Sequence, residues 1–319
     1  MILLKEQLKK MTKKEILEYA GSVEQLGGIR EYTLMGGKAN GMRALEINTG
    51  VIRFTVLPDR CMDIINCEAY GTPVAWVSKC GICAPAYFEP EGAGWLRNWP
   101  GGLVTTCGLS HVGGAYKEYG VHGRIANLPA QKVSADAFFN GDDYIMMVSG
   151  EVRQSCAFGE NIVLRRTITT KLFDDKFMLS DTIINEGARE ENIAMIYHCN
   201  FGFPLVSENS KIIGLPEEHE NIEPPTPFAD ENVYDIDFEG DMKTVGIENG
   251  QIGAYITYKR DTLPEFLLWK KFASSDYVVG LEPRNVRFGG ADLHEKDAFV
   301  KLAPYSEIKT ALCFSFKEL

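Results

Sequence analysis

The chain has 319 residues, 45% hydrophobic and 24% charged, the balance of a globular protein with ample core material. Asp and Glu (44) outnumber Lys and Arg (33), and a formal net charge of -11 disfavours nucleic acid and anionic membrane surfaces as partners. Neutral small molecules such as sugars stay open as ligands.

Residues 1–27 form the one stretch with helical signals, an N-terminal arm. Thr12 followed by Glu15 matches a capping box ahead of Ile16, Leu17 and Tyr19. The arm is expected to pack on the main body or on a second subunit, which leaves a homodimer open. Charges interrupt every short apolar run in this arm, so no signal-peptide core is expected. No run in the chain approaches the roughly 20 apolar residues needed to span a bilayer. The expected location is therefore cytoplasmic, and the eight cysteines read as reduced thiols. Cys80 and Cys83 form a lone C-x-x-C, read as structural because no second pair or neighbouring histidine completes a zinc site.

From residue 28 to residue 319 the periodicity is that of strands. Asn140-Gly141 is expected to close a type I′ hairpin between Ala137–Phe139 and Tyr144–Val148, because Asn and Gly tolerate positive φ. Asn249-Gly250 marks a second hairpin and Glu186-Gly187 a third. The acidic, proline-containing stretch 217–241 reads as a long solvated surface loop. At the end of the chain Ile308, Thr310, Leu312, Phe314 and Phe316 alternate with more polar residues, as in a strand with one face buried. Short strands and repeated turns indicate a single all-β domain, a large antiparallel β-sandwich.

Three of the five histidines lie beside glycines or aromatic residues: His111 in Cys107–Gly114, His122 in Tyr119–Asn127 and His198 in Ile196–Phe203. Glycine lets backbone approach a ligand and aromatic rings stack on sugar faces. His219 and His294 sit among charges and read as solvated surface. Glu282 follows the apolar run Tyr277–Leu281, so it is expected to be partly buried with a raised pKa, as suits a general acid or base. The bland alternative is an ion pair with Arg284 or Arg287. Arg97 lies between Trp95 and Trp99, and Arg60 precedes Cys61-Met62-Asp63-Ile64. Each arginine offers a fork of donors to hydroxyls, and the two tryptophans a stacking wall or a core cap. No P-loop, G-x-S-x-G, H-E-x-x-H or dinucleotide fingerprint occurs.

Together these segments resemble the galactose mutarotase (aldose 1-epimerase) superfamily. That superfamily carries a histidine in an early His-Gly segment, a second mid-chain and a glutamate in a late Gly-Leu-Glu-Pro-like segment. Here the order is His122, His198, Glu282. The resemblance covers roughly residues 28–319. It is nearest to a branch sharing Asp59-Arg60-x-Met62-Asp63-Ile64, Cys107-Gly108-Leu109 and His122-Gly123-Arg124-Ile125. The chain departs from typical members with Arg124 in place of a second glycine and with Cys199 after His198. No residue is assigned to the superfamily's substrate aspartate.

The resemblance implies the galactose mutarotase-like supersandwich and interconversion of sugar anomers without a cofactor. Glu282 would be the base and His198 the acid. His122, His111, Arg60, Arg97, Arg124, Trp95 and Trp99 would surround the substrate. Two alternatives stand beside it. His111, His122, His198 and Glu282 could hold a divalent metal ion for a sugar isomerase, epimerase or lyase. A non-catalytic carbohydrate-binding protein is the other.

Overall fold

The structure, a computed structural model, describes residues 7–319. Nineteen strands, all paired antiparallel, build three sheets. The first contains β1 (Gly28–Thr33), β2 (Arg43–Asn48), β3 (Ile52–Leu57), β4 (Asp63–Ala69) and β5 (Thr72–Pro73) in sequential order. After β6 (Thr105–Leu109) come β7 (Ala130–Asn140), β8 (Asp143–Ser155), β9 (Asn161–Lys171), β10 (Lys176–Asn185) and β11 (Glu191–Gly202). The later strands are β12 (Lys211–Ile213), β13 (Glu231–Asp235), β14 (Met242–Glu248), β15 (Ile252–Lys259), β16 (Glu265–Ala273), β17 (Asp276–Arg284), β18 (Val300–Leu302) and β19 (Glu307–Glu318). An eight-stranded sheet runs β12-β14-β15-β19-β10-β9-β8-β7, and a six-stranded arrangement runs β13-β16-β17-β11-β18, with β6 also paired to β11. The sheets enclose one large core, and a smaller apolar cluster lies on the opposite face of β11.

Helix α1 (Lys13–Tyr19) has the expected capping box: Glu15 N–H donates to the Thr12 hydroxyl, and the Glu15 carboxylate accepts from Thr12 N–H at 2.7 Å. Ile16 is buried against Leu172 and Phe173, so the arm packs on the main body. Residues 1–6 of the expected arm lie outside the described residues. A second short helix, α2 (Gly290–Glu295), lies in a segment that had read as charged surface.

Three local expectations are corrected. The turn between β7 and β8 is Gly141-Asp142, because Asn140 pairs with Asp143. Only Gly141 takes positive φ (63°), so this is not a type I′ turn. The second hairpin forms as expected, with Asn249 Oδ1 accepting from Ile252 N–H. Glu186-Gly187 does not close a hairpin; it lies in the crossover from β10 in one sheet to β11 in another. The acidic stretch 217–241 contains β13, an edge strand paired with β16, and is not a plain loop. The terminal strand β19 alternates as its sequence indicates, with Thr310, Leu312, Phe314 and Phe316 buried. All eight cysteines are unpaired; Cys83 Sγ receives the Asn98 amide at 3.1 Å, a loop-stabilising contact. Among the described residues no helix is long and apolar enough to cross a membrane.

One charge lies at the meeting point of all three sheets. Arg166 on β9 is fully buried. Its guanidinium donates to both oxygens of Asp181 on β10 (2.9 and 2.7 Å) and to Asp63 on β4 (2.9 Å). It also donates to the Thr106 hydroxyl on β6 (2.8 Å). Tyr197 on β11 donates its hydroxyl to Asp181 at 2.7 Å. The carboxylates hold Arg166 cationic despite burial, whereas burial pushes the Asp63 carboxyl up to about 6. Removing the cation strands two buried carboxylates. We therefore expect Arg166→Ala to destabilise the protein by about 3–5 kcal/mol in urea unfolding, far more than loss of an exposed pair such as Lys171–Asp143.

Candidate active site

The site grows from the register of four adjacent strands. In the β11–β17 pairing Ile196 opposes Arg284 and Cys199 opposes Leu281, which sets His198 beside Glu282. In the β16–β17 pairing Leu267 opposes Glu282 and Trp269 opposes Gly280. In the β13–β16 pairing Asp235 opposes Leu267 and Val233 opposes Trp269. Side chains alternate between faces along a strand. These residues therefore share one face, and the opposite face of β11 gives Met195, Tyr197, Cys199 and Phe201 to the main core.

That face floors a cleft of about 550 Å³, within the usual size of a small-molecule site. Two loop segments wall it, Trp95–Trp99 and Gly113–His122, with Phe288, Gly289 and Asp292 at the start of α2 completing the rim. All four tryptophans of the chain cluster here. Trp95 stacks on Trp99 with ring centres 4.8 Å apart, and Trp76 and Trp269 lie 5.2 and 5.8 Å from Trp99. The rings enclose His198 edge-on: Trp99 at 5.0 Å, Trp269 at 5.3 Å and His122 at 5.6 Å.

His198 (5% exposed) and Glu282 (2%) lie at the cleft floor, with His198 Nε2 3.3 Å from Glu282 Oε1. The contact is not aligned as a hydrogen bond. His198 Nδ1 and Glu282 Oε1 are both buried and have no hydrogen-bond partner. Desolvation disfavours the charged form of each. It raises the Glu282 carboxyl to about 8 against the opposing attraction of Arg284. It lowers the His198 imidazole to about 4. Between those values the pair carries one proton, held on the carboxyl when the cleft is empty.

His122 is held differently. Its φ is +57°, and its Nδ1 accepts from Gly113 N–H at 3.3 Å, which puts the ring proton on Nε2. Burial and the neighbouring His198 push its pKa down to about 3. The following Gly123 is forced by close approach, because a Cβ there would lie 2.5 Å from the Gly108 carbonyl oxygen.

Charged groups line the β13 side. Arg284 pairs with Asp235, yet its buried Nε has no partner. Arg287 pairs with Asp237 and with Glu265 at 3.1 Å. Trp269 Nε1 donates to Glu231 at 3.1 Å.

The structure thus brings His122, His198, Glu282, Trp95 and Trp99 into one cleft. The pair His198 and Glu282 sits side by side on neighbouring strands and does not face across the cleft. Four other sequence candidates lie elsewhere. Arg60 is buried in the interior, donating to the Cys83 carbonyl at 2.8 Å. Arg97 is exposed and lies 3.7 Å from Glu89. Arg124 is exposed at the mouth of a separate hollow with Glu160 and Glu190. His111 is buried behind the cleft wall, its Nε2 donating to the Gly114 carbonyl (2.8 Å) and its Nδ1 therefore accepting from His294 Nε2 (2.9 Å). His294 is consequently not solvated surface, and it stacks on Tyr119 at 4.5 Å. His219 is half-buried, its ring 4.6 Å from Tyr234, and so is not plain surface either. Because His111 is engaged there, the metal set His111, His122, His198 and Glu282 does not converge. Among the described residues no group of three or more His, Cys, Asp or Glu side chains is placed to hold a metal ion.

Sequence reading missed Asp235, Glu231 and Trp269. Trp269 carried a usable signal, since Phe266, Leu268 and Lys270 point to the other face of β16. Asp235 and Glu231 lay in a stretch whose charges looked like ordinary solvated surface.

The floor, the three-sheet architecture and the aromatic walls define a β-sandwich protein of galactose mutarotase-like fold. A candidate aldose 1-epimerase from Klebsiella pneumoniae has the same fold at a TM-score of 0.85, with 23% identity, 92% of this chain and 86% of that chain covered. A galactose mutarotase-like protein from Clostridium acetobutylicum is similar at a TM-score of 0.64, with 12% identity, covering 92% of this chain and 100% of that one. A galactose 1-epimerase from Lactobacillus acidophilus gives 0.61 and 11%, covering 91% and 98%. No curated protein matches the chain in sequence. Residues 39–315 match the family described as Domain of unknown function (DUF4432), and the chain belongs to that family.

The shifted carboxyl has a consequence for stability. The Glu282 pKa rises from 4.5 to about 8 on folding, so the unfolded chain releases this proton first as pH rises. The contribution of the neutral carboxyl is complete below about pH 4.5 and is lost as pH climbs to about 8. Relative to Glu282→Gln, the wild type should lose up to about 1.4 kcal/mol per pH unit across that window, measured by urea unfolding at a series of pH values.

Proposed function

We propose that the protein interconverts the anomers of a reducing sugar, as an aldose 1-epimerase. The observation that carries this reading is the adjacent His198–Glu282 pair. The two groups are 3.3 Å apart, buried, shifted in opposite directions and open to one tryptophan-walled cleft. Fold likeness to proteins described as aldose or galactose 1-epimerases supports it.

Anomer exchange needs one proton removed and one delivered. In the reactive form the pair's single proton is on His198 and Glu282 is a carboxylate. Glu282 takes the proton of the anomeric hydroxyl, the O1–C1 bond becomes a carbonyl and the C1–ring oxygen bond breaks. His198 protonates the departing ring oxygen. The proton count of the pair is unchanged, and it now rests on the carboxyl, the form that burial favours. Rotation about C1–C2 presents the other carbonyl face, and the reverse steps close the ring to the other anomer. Arg284 draws the Glu282 carboxyl towards ionisation. The neutral, oriented His122 and the Asp235–Arg284 pair offer donors and acceptors to ring hydroxyls. The tryptophan walls give apolar surface to the sugar's C–H faces and exclude water, which strengthens polar contacts inside.

Each positioned proton-transfer group contributes about 10²–10⁴-fold. Glu282→Gln and His198→Asn should each lower kcat for anomer exchange by that factor, followed by polarimetry of freshly dissolved aldoses. The double variant should be little worse than either, since the pair acts as a unit. Wild-type turnover by the Glu282→Gln protein would remove the base from this scheme. The one-proton pair also sets the pH profile: activity should be sustained between about pH 4 and about pH 8 and fall as the last proton leaves above that range.

A further inference from the structure

The sheet face that floors the cleft does not end at the His198–Glu282 row. Along β17 the next positions on that face are Gly280 and Val278, and along β16 they are Trp269 and Lys271. Val278, Trp269 and Lys271 line a second hollow of about 360 Å³, which shares Leu96, Trp99, Glu231 and Trp269 with the first. Gly280 lies between the two rows and has no side chain to divide them. A Cβ there would meet Trp269 at 3.1 Å and the Glu282 carboxylate at 2.7 Å. The two hollows adjoin one another across the Trp99 and Trp269 rings, which line both.

The outer compartment has the chemistry of a carbohydrate subsite. Trp76, half-buried, forms its far wall, edge-on to Trp269 at 6.3 Å and 75°. Partly exposed indole faces suit the apolar C–H face of a pyranose. Polar groups edge the compartment. Lys79 pairs with Asp276 at 2.7 Å. Lys271 has no ion pair or side-chain hydrogen bond among the described residues and is left as a donor. Glu231, on the border, uses one oxygen for Trp269 Nε1 and keeps the other for a hydroxyl. Two lysines against two carboxylates leave the compartment near neutral, which fits an uncharged saccharide and disfavours a phosphate group.

We propose that this outer compartment binds a second sugar ring, so that the substrate is a reducing oligosaccharide whose terminal reducing ring occupies the His198–Glu282 cleft. The proposal deepens the anomer-exchange reading and rests on it for the placement of the reducing ring.

Maltose, cellobiose, lactose and melibiose all end in a reducing glucose, so glucose itself is the reference probe. Anomer exchange would be followed by polarimetry, and binding by tryptophan fluorescence and calorimetry. At least one disaccharide should exceed glucose about tenfold in kcat/KM. Trp76→Leu, which keeps an apolar filler, and Lys271→Ala should each erase most of that advantage. No disaccharide preferred over glucose in turnover or affinity overturns the proposal, as does a preference that both variants leave intact. Should the wild type turn over no sugar at all, the anomer-exchange reading falls, and binding decides the subsite alone. Tighter disaccharide than glucose binding that both variants weaken supports it, and equal binding overturns it.

Discussion

The buried guanidinium of Arg166 ties the molecule together. Its partners come from β4, β6 and β10, and Tyr197 on β11 joins through Asp181, so one cation contacts or links all three sheets. An isolated charge at such depth is costly, and only this full set of acceptors makes it tolerable. The arrangement also demands that the sheets meet in one relative position. A shift of β11 by one residue would turn Tyr197 away from Asp181 and His198 into the core.

That last point connects the hub to the site. Strand β11 is buried on both faces, and its alternation splits it between two tasks. Odd positions from Ile193 to Phe201 belong to the main core, whereas Ala194 and Ile196 belong to the small cluster that includes Trp95 and Trp99. Tyr197 reaches the Arg166 network and His198, the next residue, reaches the cleft. Asn200 adds a local brace, its amide donating to the Gly102 and His198 carbonyls at 2.9 Å. The candidate acid therefore stands on a strand packed on both faces and braced by Asn200, as an accurately aimed proton donor requires.

The chemistry of the pair follows from the same burial. Trp95, Trp99 and Trp269 with the neutral His122 line the floor and shield it from water. The same desolvation moves a carboxyl up and an imidazole down. In water these two groups would both be charged near pH 5.5, with their single proton on the imidazole; here burial moves that proton to the carboxyl and leaves both neutral. The carboxyl is thereby brought closer to neutral pH, where a general base exchanges protons with a ligand at less cost. The unpartnered Nδ1 of His198 and Oε1 of Glu282 are buried polar atoms that burden stability.

Much of this was legible in the residues alone. Period-two alternation in β19, the Asn249-Gly250 turn and the Thr12–Glu15 cap are local features, set by side-chain size, φ preference and short-range hydrogen bonds, and they appear in the structure as read. His198 and Glu282 stood out because a polar group ends an apolar run, although the alternation serves the cleft face and not the core. What stayed illegible depends on separations that no local pattern encodes. His111 and Arg60 look like site residues by their neighbours, yet His294, 183 residues on, and the Cys83 carbonyl claim them. Asp235 and Glu231 look like solvent-facing charge until β13 pairs with β16. The sequence by itself determined the fold class, the cap, the Asn249-Gly250 turn and the two groups at the cleft floor. Tertiary structure alone decided which of the remaining polar residues share that cleft, because strand register across long loops, and not spacing along the chain, sets which side chains meet.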